Sequence, residues 1–255
     1  DVEEWNDILN KNQNKKICKK IARIKEIEAD GANVETISVD ISNFDDMKFV
    51  INNIRDKYGQ INGIIQCAGN IDRSFELSRN VITPKVNGTW IMNKLTEVDN
   101  LDFFVMFSSS ITFQTFPGQS DYTAANAFLD SFAAYGRKNG VNTVTINWPA
   151  WSGSGMATDN NINEDNLFLK LISSKKALEA FDIILGTDEK RLMPGNLNHK
   201  AISLQKEQLV VDLSSEIQHK IDEFNSDKNI EEITLEGREK GVYSEFEKKV
   251  ALIWG

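Results

Sequence analysis

The sequence predicts a doubly wound α/β fold, in which a parallel sheet carries helices on both faces. Segments with apolar residues at helical spacing alternate along the chain with short runs rich in valine, isoleucine and phenylalanine. These short runs are apolar nearly throughout, which is typical of strands that are buried on both faces of a parallel sheet. At 255 residues and 40% hydrophobic content, the chain is long enough to bury one sizeable core.

The first elements are predicted from apolar spacing and from end signals. Residues 15–29 are predicted to form a helix that Gly31 ends, because four isoleucines share one face: Ile17, Ile21, Ile24 and Ile27. Val34–Val39 is a β-branched run and predicts a strand. Ser42 is the expected N-cap of the next helix, which ends near Gly59 and whose inward face comprises Phe44, Met47, Val50, Ile51 and Ile54.

The rest of the chain continues the alternation. It predicts, in order, a strand over 61–67, a helix over 86–96, a strand over 102–107, a helix over 122–139, a strand over 142–148, a helix over 175–185 and a strand over 191–193. Residues 1–204 are therefore assigned to one α/β domain. Residues 205–241 are polar and charged and are predicted to be a linker. Residues 242–255 predict a short amphipathic helix.

Charge and composition exclude several classes of function. A net charge of -9 argues against binding to nucleic acids or to anionic membrane surfaces. The apolar runs are too short to span a bilayer. With two cysteines and two histidines, neither a disulfide framework nor a metal site is expected. We therefore expect a soluble, cytoplasmic protein.

Ligands of doubly wound sheets bind beyond the carboxyl ends of the strands, and three polar side chains are predicted to lie there. Ser109 follows a predicted strand, Tyr122 stands at the start of a helix, and Asn126 lies one turn beyond Tyr122 on the same face. A phenol can protonate a carbonyl oxygen as hydride reaches the carbon, if a nearby cation lowers its pKa from about 10. The hydroxyl of Ser109 can hold the same oxygen. These residues predict a site for carbonyl reduction.

The position of one lysine makes the pattern more specific. Where many short-chain reductases have Tyr-x-x-x-Lys, this chain has Tyr122-Thr-Ala-Ala-Asn126, and a lysine occurs upstream at Lys85. This exchange, over roughly residues 33–200, resembles the ketoreductase domains of modular type I polyketide synthases, which belong to the short-chain dehydrogenase/reductase superfamily and have a Rossmann-like fold. The resemblance extends through four stretches: Pro84–Gly88, Phe107–Ser110, Pro117–Asp130 and Asn147–Met156. The Asn-Trp-Pro sequence within the last stretch resembles synthases whose acyltransferase acts in trans.

The resemblance implies a role for each matched residue. Tyr122 would be the proton donor and Ser109 would orient the substrate carbonyl, while Lys85 and Asn126 would support the phenol, its proton supply and the nicotinamide ribose. Besides Lys85 and Tyr122, the implied cofactor contacts are Asp40 and Ile41 at the adenine, Ala68, Gly69 and Asn70 near the ribose, and Pro149 beside the nicotinamide. The implied substrate contacts are Gln119, Trp151 and Met156, the last two in a lid loop.

The implied reaction is the NADPH-dependent reduction of a β-ketoacyl thioester to a β-hydroxyacyl thioester. The implied partners are an acyl carrier protein, which presents the acyl chain on its phosphopantetheine arm, and neighbouring synthase domains. The helix over 242–255 resembles the opening of an acyl carrier domain; packing back on the reductase is the alternative. B-type product configuration is implied by resemblance to the family members that have a proline at the position of Pro117, Leu-Asp-Asp where this chain has Ile71-Asp72-Arg73, and no tryptophan at the position of Gln114.

Several alternatives remain open. The chain has no Gly-x-Gly-x-x-Gly, so the family's glycine-rich loop and first strands are absent from it and are expected upstream of Asp1 or from elsewhere. NADPH is implied by the family alone. An inactive reductase-like scaffold within a synthase and a free-standing short-chain dehydrogenase are the competing functions. Asp40 could instead cap the following helix, Trp148 and Trp151 could be packing residues, and Cys67 is expected to be buried in a strand.

Overall fold

The computed structural model describes residues 2–11, 14–70, 78–114, 116–153, 164–205 and 208–232. The chain divides into two compact units, Asp1–Asp40 and Ile41–Gly255. The first unit contains α1 (Val2–Lys11) and α2 (Lys15–Ala29), which pack against each other. Helix α2 has the predicted bounds, but its isoleucine face is only partly covered: Ile21 is buried, whereas Ile17 and Ile27 are exposed.

The strand predicted over Val34–Val39 does not form: this segment has no regular secondary structure. A strand needs a hydrogen-bonded neighbour, and the described part of the first unit contains no strand that could pair with it. Ile37 is accordingly 46% exposed. The β-branched run therefore has the propensity of a strand without the partner that would make it one.

The second unit is built on a four-stranded sheet with the order β1-β2-β3-β6, and every neighbouring pair is parallel. Its strands are β1 (Gly63–Gln66), β2 (Phe103–Ser109), β3 (Thr143–Trp148) and β6 (Arg191–Leu192). All six residues of β3 are buried, as a central strand with both faces covered requires. Two short strands, β4 (Trp151–Ser152) and β5 (Ile172–Ser173), form a separate parallel pair.

Adjacent residues of β2 enter different cores on the two faces of the sheet. Val105 packs with Val144, Ile146 and Trp148 against α6 (Ser174–Leu185). Phe104 and Met106 pack against α5 (Ser120–Lys138) through Leu129, Phe132 and Ala133. Because side chains alternate across a strand, these two cores cover opposite faces. The predicted doubly wound parallel sheet is confirmed.

Two helix starts differ from the predictions. Helix α3 (Phe44–Tyr58) is capped by Asn43 instead of Ser42: the Asn43 side chain accepts hydrogen bonds from the backbone N–H groups of Asp45 and Asp46. Helix α4 (Ser78–Leu95) begins eight residues before the predicted start and runs through Pro84. The Pro84 carbonyl accepts a hydrogen bond of 2.9 Å from the Gln66 side chain, which ties this point of the helix to the end of β1.

The segment 205–241, predicted to be a linker, contains helix α8 (Ser215–Glu232). After a short α7 (His199–Gln205), α8 buries Ile221 in a small core with Phe168, Leu169 and Ile202. Ile217 and Ile221 lie one helical turn apart on α8, in a sequence that is otherwise mostly polar and charged. Their apolar contacts with this core hold the helix in place. The predicted helix over 242–255 lies outside the described residues.

Candidate active site

Tyr122 lies in the first turn of α5, near the carboxyl ends of the strands, and is 8% exposed. It packs with Val81 of α4 and Ile111, which follows β2. Burial raises the pKa of the phenol above its usual value, while hydrogen bonding with Ser109 and with Asn126 acts in the opposite direction. The phenol is therefore held protonated at neutral pH, with its hydroxyl next to Ser109.

The sequence predicts that a nearby cation lowers the pKa of this phenol, and the structure corrects that expectation. Desolvation is the largest influence on Tyr122 and raises its pKa, and Lys85 is not among the groups that shift it. The ammonium of Lys85 donates instead to the Phe107 carbonyl at 2.8 Å. In this structure hydrogen bonds, and not a positive charge, partly offset the effect of burial on Tyr122.

Ser109 is the last residue of β2 and the N-cap of a 3-10 turn, Ser110–Phe113. Its Oγ accepts a hydrogen bond of 3.3 Å from the backbone N–H of Ile111. This bond orients the hydroxyl, since the oxygen uses one lone pair on the backbone and keeps its proton for another acceptor. Among the three adjacent serines, the structure places Ser109 at Tyr122, as predicted.

Asn126 is fully buried one turn after Tyr122. Its Nδ2 donates to the Tyr122 backbone carbonyl at 2.7 Å, which leaves Oδ1 without a hydrogen-bond partner among the described residues. The backbone carbonyl of Asn126 accepts a hydrogen bond of 3.2 Å from Ser108 Oγ. Asn126 thus links the residue before Ser109 to the turn of helix that carries Tyr122.

Lys85 is brought to the same edge of the sheet by α4 and is 3% exposed. Burial is the main influence on its pKa, which is lowered from 10.5 to about 8; the nearby Cys67 and Asp130 act in the opposite direction. Gly69 makes room for it, because a Cβ at this position would lie 2.9 Å from Lys85 Cε and 3.3 Å from Nζ. Of the four residues predicted to be catalytic, the structure therefore brings together Tyr122, Ser109 and Asn126, and it places the Lys85 ammonium at the carbonyl of Phe107, two residues before Ser109 on β2.

Most of the predicted cofactor residues lie at the carboxyl ends of β1 and β3. Ala68, Gly69 and Asn70 follow β1, and the Ala68 N–H donates to the Gln66 side chain at 2.8 Å. Pro149 is buried directly after β3. Ile41 begins the second unit and lies against Gly88 of α4, where a Cβ would meet its Cδ1 at 2.6 Å. Asp40 belongs to the first unit, and it is not the cap of α3.

Two of the three predicted substrate residues lie within the described residues. Gln119 is the N-cap of α5, and its side chain makes no capping hydrogen bond there. Trp151 in β4 contacts Trp148 edge-to-face, with 5.2 Å between the ring centroids. Trp148 is a core residue, which supports the packing alternative for that ring. Met156 and the stretch Ile71-Asp72-Arg73 lie outside the described residues.

Cys67 is exposed, contrary to the expectation that it is buried in a strand. The strand β1 ends one residue earlier, at Gln66, so Cys67 belongs to the turn at the site. Although the residue is exposed, partial desolvation raises the pKa of its thiol to about 11, and the charge of Lys85 acts in the opposite direction. Because the thiol stays protonated at neutral pH, Cys67 has little nucleophilic character.

Three residues outside the predicted catalytic, cofactor and substrate set also support the site. Gln114 is buried, donates to the Asn166 carbonyl at 3.0 Å and accepts from the Phe168 N–H at 3.1 Å. It thereby joins the turn after Ser109 to the chain that follows Trp151. Asp130 and Asn147 enter the family resemblance only as the end residues of two matched stretches. A carboxylate or an amide inside an apolar segment is nevertheless a sequence signal of buried polar contacts.

Among the described residues, no cluster of histidine, cysteine, aspartate and glutamate is arranged to hold a metal ion. Nor does the described part of the chain contain a helix with the length and apolar character needed to cross a membrane.

The parallel sheet with helices on both faces defines a Rossmann-like α/β domain of the short-chain dehydrogenase/reductase type. The family model described as "KR domain" matches residues 9–153, which is more than half of the chain. The chain therefore belongs to the KR domain family. This confirms the family resemblance that the tyrosine, serine, lysine and asparagine pattern predicts.

Named relatives are synthases that are much longer than this chain. The chain is 42% identical over 101 residues to a 6-methylsalicylic acid synthase from Arthrobotrys oligospora, a match that covers 40% of this chain and 6% of that protein. It is 38% identical over 120 residues to the polyketide synthase PksN of Bacillus subtilis, covering 42% of this chain and 2% of PksN. The chain thus spans a small fraction of the length of the curated relatives it matches.

Solved structures of ketoreductases are also similar to this chain. An N-terminal ketoreductase from a macrolactin assembly line matches with a TM-score of 0.63 and 30% identity, covering 74% of this chain and 39% of that chain. A ketoreductase domain from the bacillaene assembly line matches with a TM-score of 0.66 and 28% identity, covering 73% and 49%. A short-chain dehydrogenase from Streptomyces avermitilis, at 16% identity and a TM-score of 0.55, supports the fold alone.

Proposed function

We propose that this chain is the reductase of a polyketide assembly line, which reduces a β-ketoacyl thioester on an acyl carrier protein to the β-hydroxyacyl thioester with NADPH. The observation that carries the proposal is the buried phenol of Tyr122 in the first turn of α5, close enough to Ser109, at the carboxyl end of β2, for that hydroxyl to influence its pKa. Lys85 and Asn126 complete the set in the exchanged positions that resemble this family. The family match and the synthase relatives support the same reaction.

Members of this family use a nicotinamide cofactor, and the residues present fit its nicotinamide half. Gly69, after β1, carries no side chain where a Cβ would press on Lys85, and the buried Pro149 follows β3, which is separated from β1 by β2. Ala68, Gly69, Asn70, Lys85, Tyr122 and Pro149 would hold that half. When bound, NADPH supplies the hydride for the carbonyl carbon. The choice of NADPH over NADH is part of the proposal and rests on the family.

The chain's own residues handle the carbonyl oxygen. The Ser109 hydroxyl donates a hydrogen bond to this oxygen and fixes its position, because the other side of Ser109 Oγ is occupied by the Ile111 N–H. The Tyr122 phenol is protonated before the reaction and gives its proton to the oxygen as negative charge develops there. Lys85, with a pKa of about 8, releases its proton more readily than an ordinary lysine does. After the phenol has given up its proton, this second proton restores it.

An acyl carrier protein and neighbouring synthase domains are the proposed partners. A chain with a net charge of -9 has little general attraction for an acidic carrier, so tethering in one polypeptide or a local basic patch would bring the two together. The multidomain relatives support the tethered arrangement. A cytoplasmic location, which suits such a synthase, is likewise a proposal.

NADPH absorbance tests the function when the protein is offered a short β-ketoacyl thioester. The assay is run on this chain and, where it belongs to a longer polypeptide, on that polypeptide. Tyr122→Phe removes the acid, and we expect a loss of activity of roughly 100-fold or more, since general acid catalysis contributes about 10²–10⁴. Tyr135→Phe is the matched control: it removes a hydroxyl from the same helix at a residue that is 45% exposed.

Each outcome of this assay has a distinct meaning. Consumption of NADPH that is lost in Tyr122→Phe and kept in Tyr135→Phe supports the proposed reaction and its acid. Consumption that survives Tyr122→Phe contradicts the mechanism. If neither this chain nor the longer polypeptide consumes NADPH, the reductase proposal is wrong and the scaffold alternative replaces it.

A further inference from the structure

A polar cluster lies beneath the site, where α5, β2, β3 and β6 meet. Asp130 of α5, with its side chain 8% exposed, forms an ion pair of 2.8 Å with Arg191 of β6. Asn147 of β3 is fully buried, and its Oδ1 accepts a hydrogen bond of 3.1 Å from Arg191 Nε. Thr145 Oγ1 donates to Asp130 at 3.1 Å. Asp130 contributes a charge that raises the pKa of Lys85, and the other three residues have no part in the proposed chemistry.

Asn147 is the centre of this cluster. Its Nδ2 lies 2.9 Å from both carboxylate oxygens of Asp130, 3.1 Å from Ser108 Oγ, 3.0 Å from Thr112 Oγ1 and 3.4 Å from the Ser109 carbonyl. An amide has two N–H groups, so it cannot serve all five acceptors fully. The charged carboxylate takes one N–H, because charge-assisted hydrogen bonds are the stronger ones, and the neutral acceptors of β2 and its turn share the other.

The cluster reaches the site along two short routes. Ser108 Oγ, held by Asn147, donates to the Asn126 carbonyl at 3.2 Å. Asp130 is one helical turn after Asn126 and two turns after Tyr122, so the ion pair with Arg191 fixes α5 directly below these residues. On the other side, the contacts of Asn147 with Ser108 and Thr112 fix the chain on both sides of Ser109.

Arg191 is itself held in place. Its guanidinium lies 4.2 Å from the centre of the Phe113 ring, and its Nη2 donates to Thr112 Oγ1 at 3.1 Å. The backbone of Arg191 pairs with Thr145, two residues before Asn147. A planar guanidinium with several fixed donors can therefore join the helix, the central strand and the turn after Ser109 at one point.

We propose that Asp130, Asn147 and Arg191 are positioning residues that set the distance between Tyr122 on α5 and Ser109 on β2. The effect on turnover rests on the proposed function, since it presupposes that these two hydroxyls act on one carbonyl oxygen. The fixing of α5 does not depend on that reaction. A chain without the cluster keeps its catalytic side chains and loses their alignment, which lowers kcat more than it raises KM.

Asp130→Asn is the main test, because it preserves shape and removes the charge that pairs with Arg191. A misplacement of about 1 Å can cost 10²-fold in rate, so we expect kcat per NADPH-binding site to fall by roughly 10- to 100-fold, with KM for the thioester changed by less than about threefold. Arg191→Lys is a milder second variant, for which we expect a smaller fall in kcat. If Asp130→Asn does not fold, the kcat of Arg191→Lys tests the proposal instead.

Asp99→Asn is the matched control. Asp99, with its side chain 3% exposed, pairs with Arg55 at 2.6 Å, so it is also a buried carboxylate that binds an arginine. It precedes β2 and therefore lies toward the amino end of the sheet, away from the site. We expect Asp99→Asn to lower thermal stability and to leave kcat per binding site unchanged.

Hydrogen exchange of the segment Ser120–Leu129 separates this proposal from the proposed function. We expect faster exchange there in Asp130→Asn and Arg191→Lys than in Asp99→Asn, whether or not the wild type reduces a thioester. If the wild type does not reduce the thioester but the variants show this exchange pattern, the proposed reaction is wrong and the role of the cluster in fixing α5 still holds. Unchanged exchange in both variants, or a kcat that falls equally in Asp99→Asn, would overturn the positioning role.

Discussion

Lys85 is expected to destabilise the fold that it serves, and its removal tests this directly. The lysine is 3% exposed, and burial lowers its pKa from 10.5 to about 8 despite the opposing influence of Cys67 and Asp130. A lowered lysine pKa means that the folded state binds this proton less tightly than the unfolded state does. At neutral pH Lys85 is charged in both states. The folded state therefore carries the full free-energy cost of burying the charged ammonium.

The magnitude follows from the shift. Each pKa unit corresponds to about 1.36 kcal/mol, so the cost at pH 7 is about 3 kcal/mol. Below pH 8 the unfolded and folded states are both protonated and the cost is constant. As pH rises from 8 to 10.5, the folded state loses the proton first and the cost disappears. Integrated over this window, about 2 kcal/mol of stability should be regained between pH 7 and pH 9.5.

Urea unfolding of the wild type and of Lys85→Met at several pH values measures this quantity. We expect the wild type to gain about 2 kcal/mol relative to Lys85→Met between pH 7 and pH 9.5. Any pH-independent loss, such as that of the hydrogen bond to Phe107, cancels in this difference. The exposed Lys48 of α3 supplies the control, Lys48→Met, which removes a lysine that is in contact with water in the folded state. A difference between wild type and Lys85→Met that stays constant with pH would refute the reasoning.

Three further predictions follow from single contacts. Gly69→Ala places a Cβ 2.9 Å from Lys85 Cε, so steady-state assays should show a fall in kcat of roughly tenfold or more, while thermal unfolding changes little; full activity would contradict the role of this glycine. Cys67, with a thiol pKa of about 11, should be alkylated at pH 8 about 20-fold more slowly than a free thiol, as mass spectrometry of a Cys18→Ser background can measure. The pKa of Asp99 is lowered, first by its hydrogen bond with Arg55, so this pair should stabilise the protein at neutral pH and lose that contribution as pH falls below 4; acid titrations of wild type and Asp99→Asn should converge there.

The sequence predicted the parts of the site whose residues have fixed offsets. Tyr122 and Asn126 are one helical turn apart wherever a helix forms, and Ser109 lies at the end of an apolar run that had to be a strand. Lys85 was predicted only by resemblance, because it is brought to the site by the packing of α4. The start of this helix at Ser78 was missed, since the sequence before Pro84 has no marked apolar face.

Properties that depend on three-dimensional packing could not be predicted. The direction of the pKa shift of Tyr122 depends on burial, which no spacing reveals. The contact among Asp130, Asn147 and Arg191 depends on the pairing of β6 beside β3, and these residues are separated by 17 and 44 positions along the chain. The strand expected over Val34–Val39 failed for the same reason, since a strand is decided by its neighbour and not by its own composition.

Besides the burial of Lys85, several buried polar atoms without hydrogen-bond partners lie on the elements that carry the site. Three buried side-chain atoms have no hydrogen-bond partner among the described residues: Thr89 Oγ1, Asn126 Oδ1 and Trp148 Nε1. Thr89 is one turn beyond Lys85, Asn126 is one turn beyond Tyr122, and Trp148 precedes Pro149. Each such atom costs roughly 1–3 kcal/mol, and random packing faults would be distributed through the fold. Together with the buried ammonium of Lys85, these atoms indicate that the elements that carry the site contribute less stability than their apolar packing alone would give.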